Sequence, residues 1–419
     1  MATAARRRLR ATARAVLGGA AGGLFAAFAP AGCDSGESGL AWGSSYLARG
    51  ALEPSIIGDR KTMNANYVAD VRRLRGVVPK CPEHVPLLEQ AAYTSGGSAV
   101  LRVLTWNINI LCGPDGSASV GSLQRIDPDL VADVVQEANA DVVCLQEALD
   151  WVPPKYREYL EKQGVGDVAE RMQRLNCRLE EQGYRALLRS CSPPSCGNPV
   201  LVASRVPLVH SETLELAVPE SKAIGMDAPR SAAYVEIGVA SGRDVRVGLY
   251  ATHLHHINQS PQEGQRAAEI RSLLEHHAAR PALEGRLATL LTGDLNQPRQ
   301  RDYTEAEWQV VEAGLRGVKQ PIDDGVSEAL RRAGFVCAYD VRPMPRTNFG
   351  AGRPAPAFTH WTGTAVDYLF LQQERHEGGS PRASLVASHT LLSDLSDHLP
   401  LAFDLALALP PAPLPPGAA

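Results

Sequence analysis

A chain of 419 residues that is 44% hydrophobic and 21% charged has the composition of an ordinary globular protein, which excludes a disordered or fibrous chain. The net charge of −4 conceals an asymmetry: residues 1–33 carry five arginines and no acid, and taking those five charges away leaves −9 on the rest. So acidic a body argues against affinity built on gripping many nucleic-acid phosphates, although a local basic rim can coexist with an acidic back.

The Arg-rich start leads into AVLGGAAGGLFAAFAPAG at residues 15–32, which reads as a targeting segment over 1–33, of secretory or organellar type. Five glycines make a full membrane span a poor fit to this stretch. Residues 34–98 are Gly/Ser-rich at both ends, with a short helix expected near 65–75, and read as an extension or linker. The eight cysteines show neither a CxxC pair nor Cys/His zinc spacing. Cys144 lies in an apolar run and reads as core. Cys191 and Cys196 flank a Ser-Pro-Pro-Ser turn, where a disulfide is one of the open readings.

From residue 99 to 408 one pattern repeats, and it reads as a single domain; residues 409–419 are a Pro-rich tail. Apolar runs bounded by turn residues predict strands at 101–106, 141–146, 199–204, 232–239, 244–252, 287–293, 365–371 and 400–407. Helical spacing predicts helices at 128–138, opened by Asp127-Pro128, and at 262–279. Several strands lack alternation, so they are expected to be buried on both faces, in sheets packed together with helices outside.

Polar residues cluster where these strands end. Asn107 and Asn109 follow the first, Glu147 the second, His253 the fifth, and Asp294 and Asn296 the sixth; Asp367 opens the seventh, and Asp397-His398 precede the last. Each cluster alone has a plain explanation. An Asn pair starts a turn, Gln-Glu is a solvated strand end, a lone histidine sits satisfied in a core, and Gly-Asp-x-Asn is a turn. Together and in order, three carboxamides, four carboxylates and two imidazoles at strand ends point to one site.

The segments LRVLTWNINIL, DVVCLQEAL, GNPVLVASRVPL, YATHLHH, LLTGDLNQP, AVDYLFL and SDHLPLAFDL resemble the ordered motifs of the endonuclease/exonuclease/phosphatase superfamily. The resemblance covers about three quarters of the chain. It implies an α/β fold, a four-layer α/β/β/α sandwich of two mixed β-sheets with outer helices, and Mg²⁺ or Mn²⁺ as cofactor. Glu147 is the expected direct metal ligand, because hard carboxylate oxygen suits Mg²⁺. By resemblance Asn107, Asn109 and Asp397 complete the metal set; many relatives carry Asp where Asn109 stands. Asp294 is the candidate base for an attacking water, and Asn296 would hold that water or a phosphoryl oxygen. His398 would contact the phosphate with Asp367 fixing its tautomer, and His253 would be a second phosphate ligand or a leaving-group acid. Asn198 and Arg230 are weaker candidates for substrate contact, with a plain surface arginine the alternative for Arg230. Trp361, His360 and Tyr368, beside Asp367, are candidates to line the substrate pocket, with loop packing the alternative for Trp361.

The expected activity is therefore metal-dependent hydrolysis of phosphate esters, of phosphodiesterase or nuclease type, by a monomer; the sequence shows no signal for an obligate protein partner. The substrate would be nucleic acid or phospholipid-like. A sphingomyelinase-like lipid phosphodiesterase or a phosphomonoesterase is the alternative within the superfamily, and a non-catalytic binding module on the same scaffold is the alternative outside it. Thr252-His253 speaks against the apurinic endonuclease branch, and GDLNQP with AVDY against the inositol 5-phosphatase branch.

Overall fold

The computed structural model describes Val68, Val71, Arg72 and residues 81–409, except for 88, 91–96, 115–122, 153, 192–197, 217–228, 240–243, 257–263, 282–284, 304, 318–321, 323–324, 342–358, 361–363 and 374–380. The expected targeting segment, the Pro-rich tail beyond Leu409, Cys196 and Trp361 lie outside the described residues. Among the described residues no helix is long and apolar enough to cross a membrane.

The first half of the domain contains strands β1 (Ser98–Asn107), β2 (Cys112–Pro114), β3 (Leu123–Arg125), β4 (Val142–Gln146), β5 (Ala186–Arg189), β6 (Leu201–Ser204) and β7 (Leu208–Glu215). The second half adds β8 (Ser231–Gly238), β9 (Arg246–His253), β10 (Arg286–Asp294), β11 (Val336–Cys337), β12 (Asp367–Gln373), β13 (Ala383–Thr390) and β14 (Leu401–Ala408). Helices α1 (Pro128–Ala138), α2 (Pro154–Lys162) and α3 (Val168–Glu181) fall in the first half. In the second are α4 (Gln265–Ala279), α5 (Glu305–Gly317), α6 (Val326–Arg332) and α7 (Ala338–Val341).

Two six-stranded sheets form, in the orders β13-β14-β1-β4-β6-β5 and β11-β12-β10-β9-β8-β7, while β2 and β3 pair separately. The pairs β1/β4 and β9/β10 are parallel, and the other pairs within these two sheets are antiparallel. The sheets are mixed, as expected.

Side-chain parity sorts the layers. Leu101 and Val103 of β1, with Val142 and Cys144 of β4, belong to the core shared with the second sheet. Leu104 and Trp106, with Val143 and Leu145, join Val131 and Val135 of α1 and Met172, Leu175 and Leu179 of α3 in a separate outer core. On the other side Ile270 and Leu273 of α4, with Val326 and Leu330 of α6, cover the second sheet. The result is the four-layer sandwich. Helix α1 starts where Asp127 accepts the N–H of Asp129 with Pro128 in the first turn, and stops at Asn139 in the left-handed region.

The described part of the 34–98 stretch lies against this domain. Leu87 is in the inter-sheet core, its N–H bonds Asp141, and His84 contacts the same carboxylate at 2.8 Å. Arg102 and Asp404, paired in register across β1 and β14, make a bidentate buried ion pair at 2.6 and 2.8 Å. Val68 and Val71 are buried, and Arg72 bonds Asp394.

The strand directions decide where the chemistry goes. The carboxyl ends of β1, β4, β9 and β10 share one rim, because each sheet has its parallel pair at the centre. Their antiparallel partners β14, β12, β6 and β8 begin at that rim, bringing the residues just before or at their starts: His398, Asp367, Asn198 and Arg230. Close approach there requires one glycine. Gly293, at φ +140°, sits beside β9 so tightly that a Cβ would lie 1.8 Å from the Thr252 carbonyl oxygen. Gly293→Ala is expected to destabilise the protein by at least about 2 kcal/mol and to reduce turnover, because Asp294 is the next residue. An unchanged denaturation midpoint in urea refutes this reading of the β9/β10 contact.

Candidate active site

Parity places Asn107 on the inter-sheet side of β1, the side of Leu101, Val103 and Thr105. At the end of β4, Gln146 faces the same way and bonds Thr105 Oγ1 at 3.0 Å. Strict alternation would then send Glu147 outward. Instead its backbone takes φ +54°, and the carboxylate returns to the seam. There the Asn107 amide bridges the sheets, donating to Glu147 Oε1 at 3.3 Å and Asp294 Oδ2 at 3.1 Å.

On the second sheet, register makes a row. Asp294 pairs with Asp367 on β12 and with His253 on β9, so the three side chains are cross-strand neighbours. Asp294 Oδ1 accepts the Asn296 N–H at 2.8 Å, in an Asx turn that sets Asn296 at φ +50°. The Asn296 amide donates to Leu254 O and to His253 Nε2, both at 3.0 Å. Donation to a carbonyl fixes which end of the amide is nitrogen, so His253 Nε2 is an acceptor.

The loop before β14 closes the site from the first sheet. Trp106 Nε1 donates to the His398 carbonyl at 2.9 Å, and Ser396 Oγ donates to the Asn107 carbonyl at 2.7 Å. His398 Nδ1 meets Asp367 Oδ2 at 2.9 Å, and its Nε2 stands 3.7 Å from Asp294 Oδ2. Seven of the expected residues thus meet within one buried pocket: Asn107, Glu147, His253, Asp294, Asn296, Asp367 and His398. Asp397 adjoins it, half-buried, and its charge acts on Glu147.

Burial, then Asp397, pushes Glu147 up to about 7. Asp294 is likewise raised to about 7 by burial and Asp367, against the pull of His398 and the Asn296 and Asn107 donors. Burial also raises Asp397. His398 goes the other way: burial opposes its charge, but Asp367 above all, with Asp294 and Asp397, holds the imidazole protonated up to about 10. His253 is pushed well below its ordinary value by burial and then by Arg230, His256, His398 and His255. Burial thus disfavours the protonated ring that a leaving-group acid at His253 would need.

Other expected residues fall differently. Arg230 is fully buried, not on the surface, and its Nη2 lies 3.0 Å from His256 Nδ1. Asn198 is buried at φ +46°, with an amide nitrogen that has no hydrogen-bond partner among the described residues. Asn109 engages Asn107 through its main-chain N–H, at 2.9 Å to Oδ1, from a left-handed turn shared with Ile110 and Leu111. Tyr368 does not line the pocket. It alternates with Asp367 and is fully buried, its hydroxyl donating to Ala365 O at 2.7 Å. His360 pairs with His398 across a β-bridge. Cys191 is disulfide-bonded to a partner outside the described residues.

Sequence reasoning missed two supports on α4: Arg266, whose Nη1 donates to the Asn296 carbonyl, and Glu269, which accepts the His255 N–H at 2.9 Å. Both are charged residues on a helix face, where solvation is the ordinary reading. Only their burial reveals the role.

A divalent cation fits this donor set. Glu147 Oε2 is buried without a hydrogen-bond partner among the described residues, and burial and the Asp397 charge raise the cost of ionising Glu147. Glu147, Asp397 and the Asn107 amide oxygen are hard donors of the kind Mg²⁺ takes.

The sequence profile of the Endonuclease/Exonuclease/phosphatase family matches residues 104–398. The chain belongs to that family. It is a family of phosphodiesterases, nucleases and phosphatases, which hydrolyse phosphate esters. The chain is similar to the crystal structure of an endonuclease/exonuclease/phosphatase from Beutenbergia cavernae DSM 12333, at 22% identity over 74% of this chain and 72% of that one, with a TM-score of 0.49. A humanized D. rerio TDP2 is 17% identical over 74% of this chain and 99% of that one, TM-score 0.39. The human Nocturnin catalytic domain with bound sulfate is 17% identical over 73% and 93%, TM-score 0.41. No curated protein sequence matches the chain significantly.

The raised carboxyls make a signed forecast for this family member. A carboxyl whose folded pKa lies above its unfolded value stabilises the fold below the unfolded value, and that stability is lost as pH rises through the folded value. For Glu147 and Asp294 the window runs from about pH 4 to about 7. In EDTA the melting temperature of the wild type is therefore expected to fall across this window more than that of Glu147→Gln. Parallel profiles for the two proteins, from thermal melts between about pH 4 and about pH 8, contradict the buried-carboxyl account.

Proposed function

We propose that this chain is a Mg²⁺- or Mn²⁺-dependent hydrolase of phosphate esters, of phosphodiesterase or nuclease type. The observation that carries the reading is the in-register row Asp367–Asp294–His253 facing Asn107 and Glu147, with His398 closing the row as a cation.

Glu147, Asp397 and Asn107 would hold the metal, with Asn109 beside them. When bound, the ion supplies Lewis-acid charge against the negative phosphate. The remaining work falls to the chain. Asp294, near 7, is poised to take a proton from an attacking water around neutral pH. The water oxygen attacks phosphorus, the ester P–O bond breaks, and the leaving oxygen is protonated from solvent. Asn296 is locked by Arg266, Leu254 and His253, so its conformation is set before substrate arrives. His398, held by Asp367 through Nδ1, offers Nε2–H to a phosphoryl oxygen. His253 steadies Asn296 as a neutral acceptor. Arg230 adds buried positive charge beside His253, and Asn198 offers its amide nitrogen to substrate at the adjoining strand start. Trp361 keeps its place as a substrate-side candidate from sequence alone.

The substrate class is a phosphodiester, with nucleic acid and phospholipid-type esters both to be assayed. Hydrolysis of bis-p-nitrophenyl phosphate, plasmid DNA and sphingomyelin in Mg²⁺, Mn²⁺ and EDTA tests the proposal; turnover insensitive to EDTA overturns the metal requirement. Asp294→Ala is expected to lower kcat by a factor on the order of 10²–10⁴ with the fold intact. Wild-type turnover in that variant removes Asp294 as the base. Asp367→Asn is expected to reproduce most of the loss in His398→Ala, and the double variant to be little worse than either alone. Multiplying losses in steady-state kinetics dissolve the His398–Asp367 unit.

A further inference from the structure

Beside the oxygen-rich set lies a second group of donors with different chemistry. His360 and His398 face each other across an isolated antiparallel β-bridge, with ring centroids 4.4 Å apart and planes tilted by 47°. Asp397 precedes His398 in the chain. One ligand atom from each of His360, Asp397 and His398 lies within 4.8 Å of the other two. Main-chain bonds fix the segment that carries His360: the N–H groups of Thr359 and His360 both donate to the Thr364 carbonyl at 3.0 Å, and Leu399 N–H donates to Thr359 O at 2.7 Å.

We propose that His360, Asp397 and His398 form a second metal site, selective for a borderline, imidazole-seeking divalent ion of the Zn²⁺ or Co²⁺ type. Two imidazoles and one carboxylate suit such ions better than Mg²⁺, which prefers oxygen donors and retains its waters. The second sphere is already built. Asp367 holds His398 Nδ1 at 2.9 Å, which leaves Nε2 as the nitrogen available to an ion, the arrangement that orients histidines in metal sites generally. Around one Zn²⁺, with Zn–N of about 2.1 Å, tetrahedral ligand atoms stand roughly 3.4 Å apart. The observed atoms, within 4.8 Å of one another, have to close to that spacing when the ion binds. For the ion to bind, His398 Nε2 gives its proton to solvent and its lone pair to the metal.

The site shares Asp397 and His398 with the hydrolytic machinery. A Zn²⁺-type ion therefore competes for Asp397 and occupies the Nε2 assigned above to the phosphate. The consequence is inhibition of Mg²⁺-supported hydrolysis. That consequence rests on the proposed function; the binding itself does not.

The test uses the full chain stripped with EDTA and titrated with Co²⁺ alone, reading the visible d–d absorption, followed by displacement with Zn²⁺. Wild type is expected to bind one Co²⁺ per chain in this phase. His360→Ala and the more conservative His360→Gln are expected to lose at least about tenfold in affinity, and Asp367→Asn about 10–100-fold through the lost second sphere. Glu147→Gln, outside the three ligands, is expected to keep wild-type affinity for Co²⁺. Thermal melts in EDTA verify that each variant is folded. Unchanged Co²⁺ affinity in both His360 variants overturns the site. Loss of the Co²⁺ band in folded Glu147→Gln also overturns it, because the ion would then be in the oxygen-donor set. In the activity arm, the Zn²⁺ concentration giving half inhibition is expected to rise about tenfold or more in His360→Gln. If no phosphate ester is hydrolysed at all, the functional reading fails, while the Co²⁺ titration still decides the site.

Discussion

One amide holds the two sheets together at the point where the chemistry sits. Asn107, on the first sheet, donates both to Glu147 beside it and to Asp294 on the opposite sheet. Asp294, Asp367 and Glu147 are within the seam and Asp397 at its edge, and removing carboxylates from water is expensive without compensating charge. The fold supplies only part of the compensation, as donors from Asn107 and Asn296 and one imidazolium at His398. What remains is an excess of negative charge, and this is why the carboxyls resist ionisation and why a bound cation suits the pocket. Stability and function draw on the same groups with opposite preferences.

Backbone strain collects at the same rim. Asn109, Ile110, Leu111, Glu147, Asn198 and Asn296 all adopt positive φ, and all follow or precede strands that end at the site. A left-handed non-glycine residue costs about 1–2 kcal/mol, most for a β-branched one such as Ile110. These turns persist because the residues around them are over-determined. Ile110 and Leu111 are fully buried in the outer core, Asn109 is tied to Asn107, and Asn296 is tied four times over. Glu147 shows the use of such strain: it reverses the side-chain parity of β4 and returns a carboxylate to the seam.

The strand cores were legible in the sequence because they are local: apolar runs ending in polar clusters predict β1, β4, β9, β10, β12 and β14 within a few residues of their observed bounds. Helix α3 also has a readable stripe in Val168, Met172, Leu175 and Leu179, but it is embedded among so many charges that the segment reads as polar surface. Edge strand β7 has no signal to offer, since most of LVHSETLE is solvated. For the site, residue types at strand ends sufficed to gather Asn107, Glu147, His253, Asp294, Asn296, Asp367 and His398. Their pairings required register, which is non-local. Nothing in the letters says that Asp367 opposes Asp294, or that Arg230 and Arg266 are buried where arginine is ordinarily solvated.

The two imidazoles show why register matters more than composition here. His253 and His398 both stand within 3.7 Å of the same Asp294 oxygen, yet the fold drives their protonation apart. His398 has a second carboxylate, Asp367, on its other nitrogen, and the pair of anions overcomes the cost of burying its charge. Among the described residues His253 has no such second carboxylate. Its Nε2 accepts from Asn296, and its neighbours Arg230, His255 and His256 add positive charge. One site therefore favours a cation at His398 and a neutral ring at His253, on either side of the single Asp294 carboxyl. Environments that separate identical groups in this way assign different tasks to each. At His398 a proton is available to an anionic ligand; at His253 a lone pair is committed to keeping Asn296 in place. Exchanging the two roles would require moving Asp367 by one strand, so the division of labour is a property of the β9-β10-β12 register.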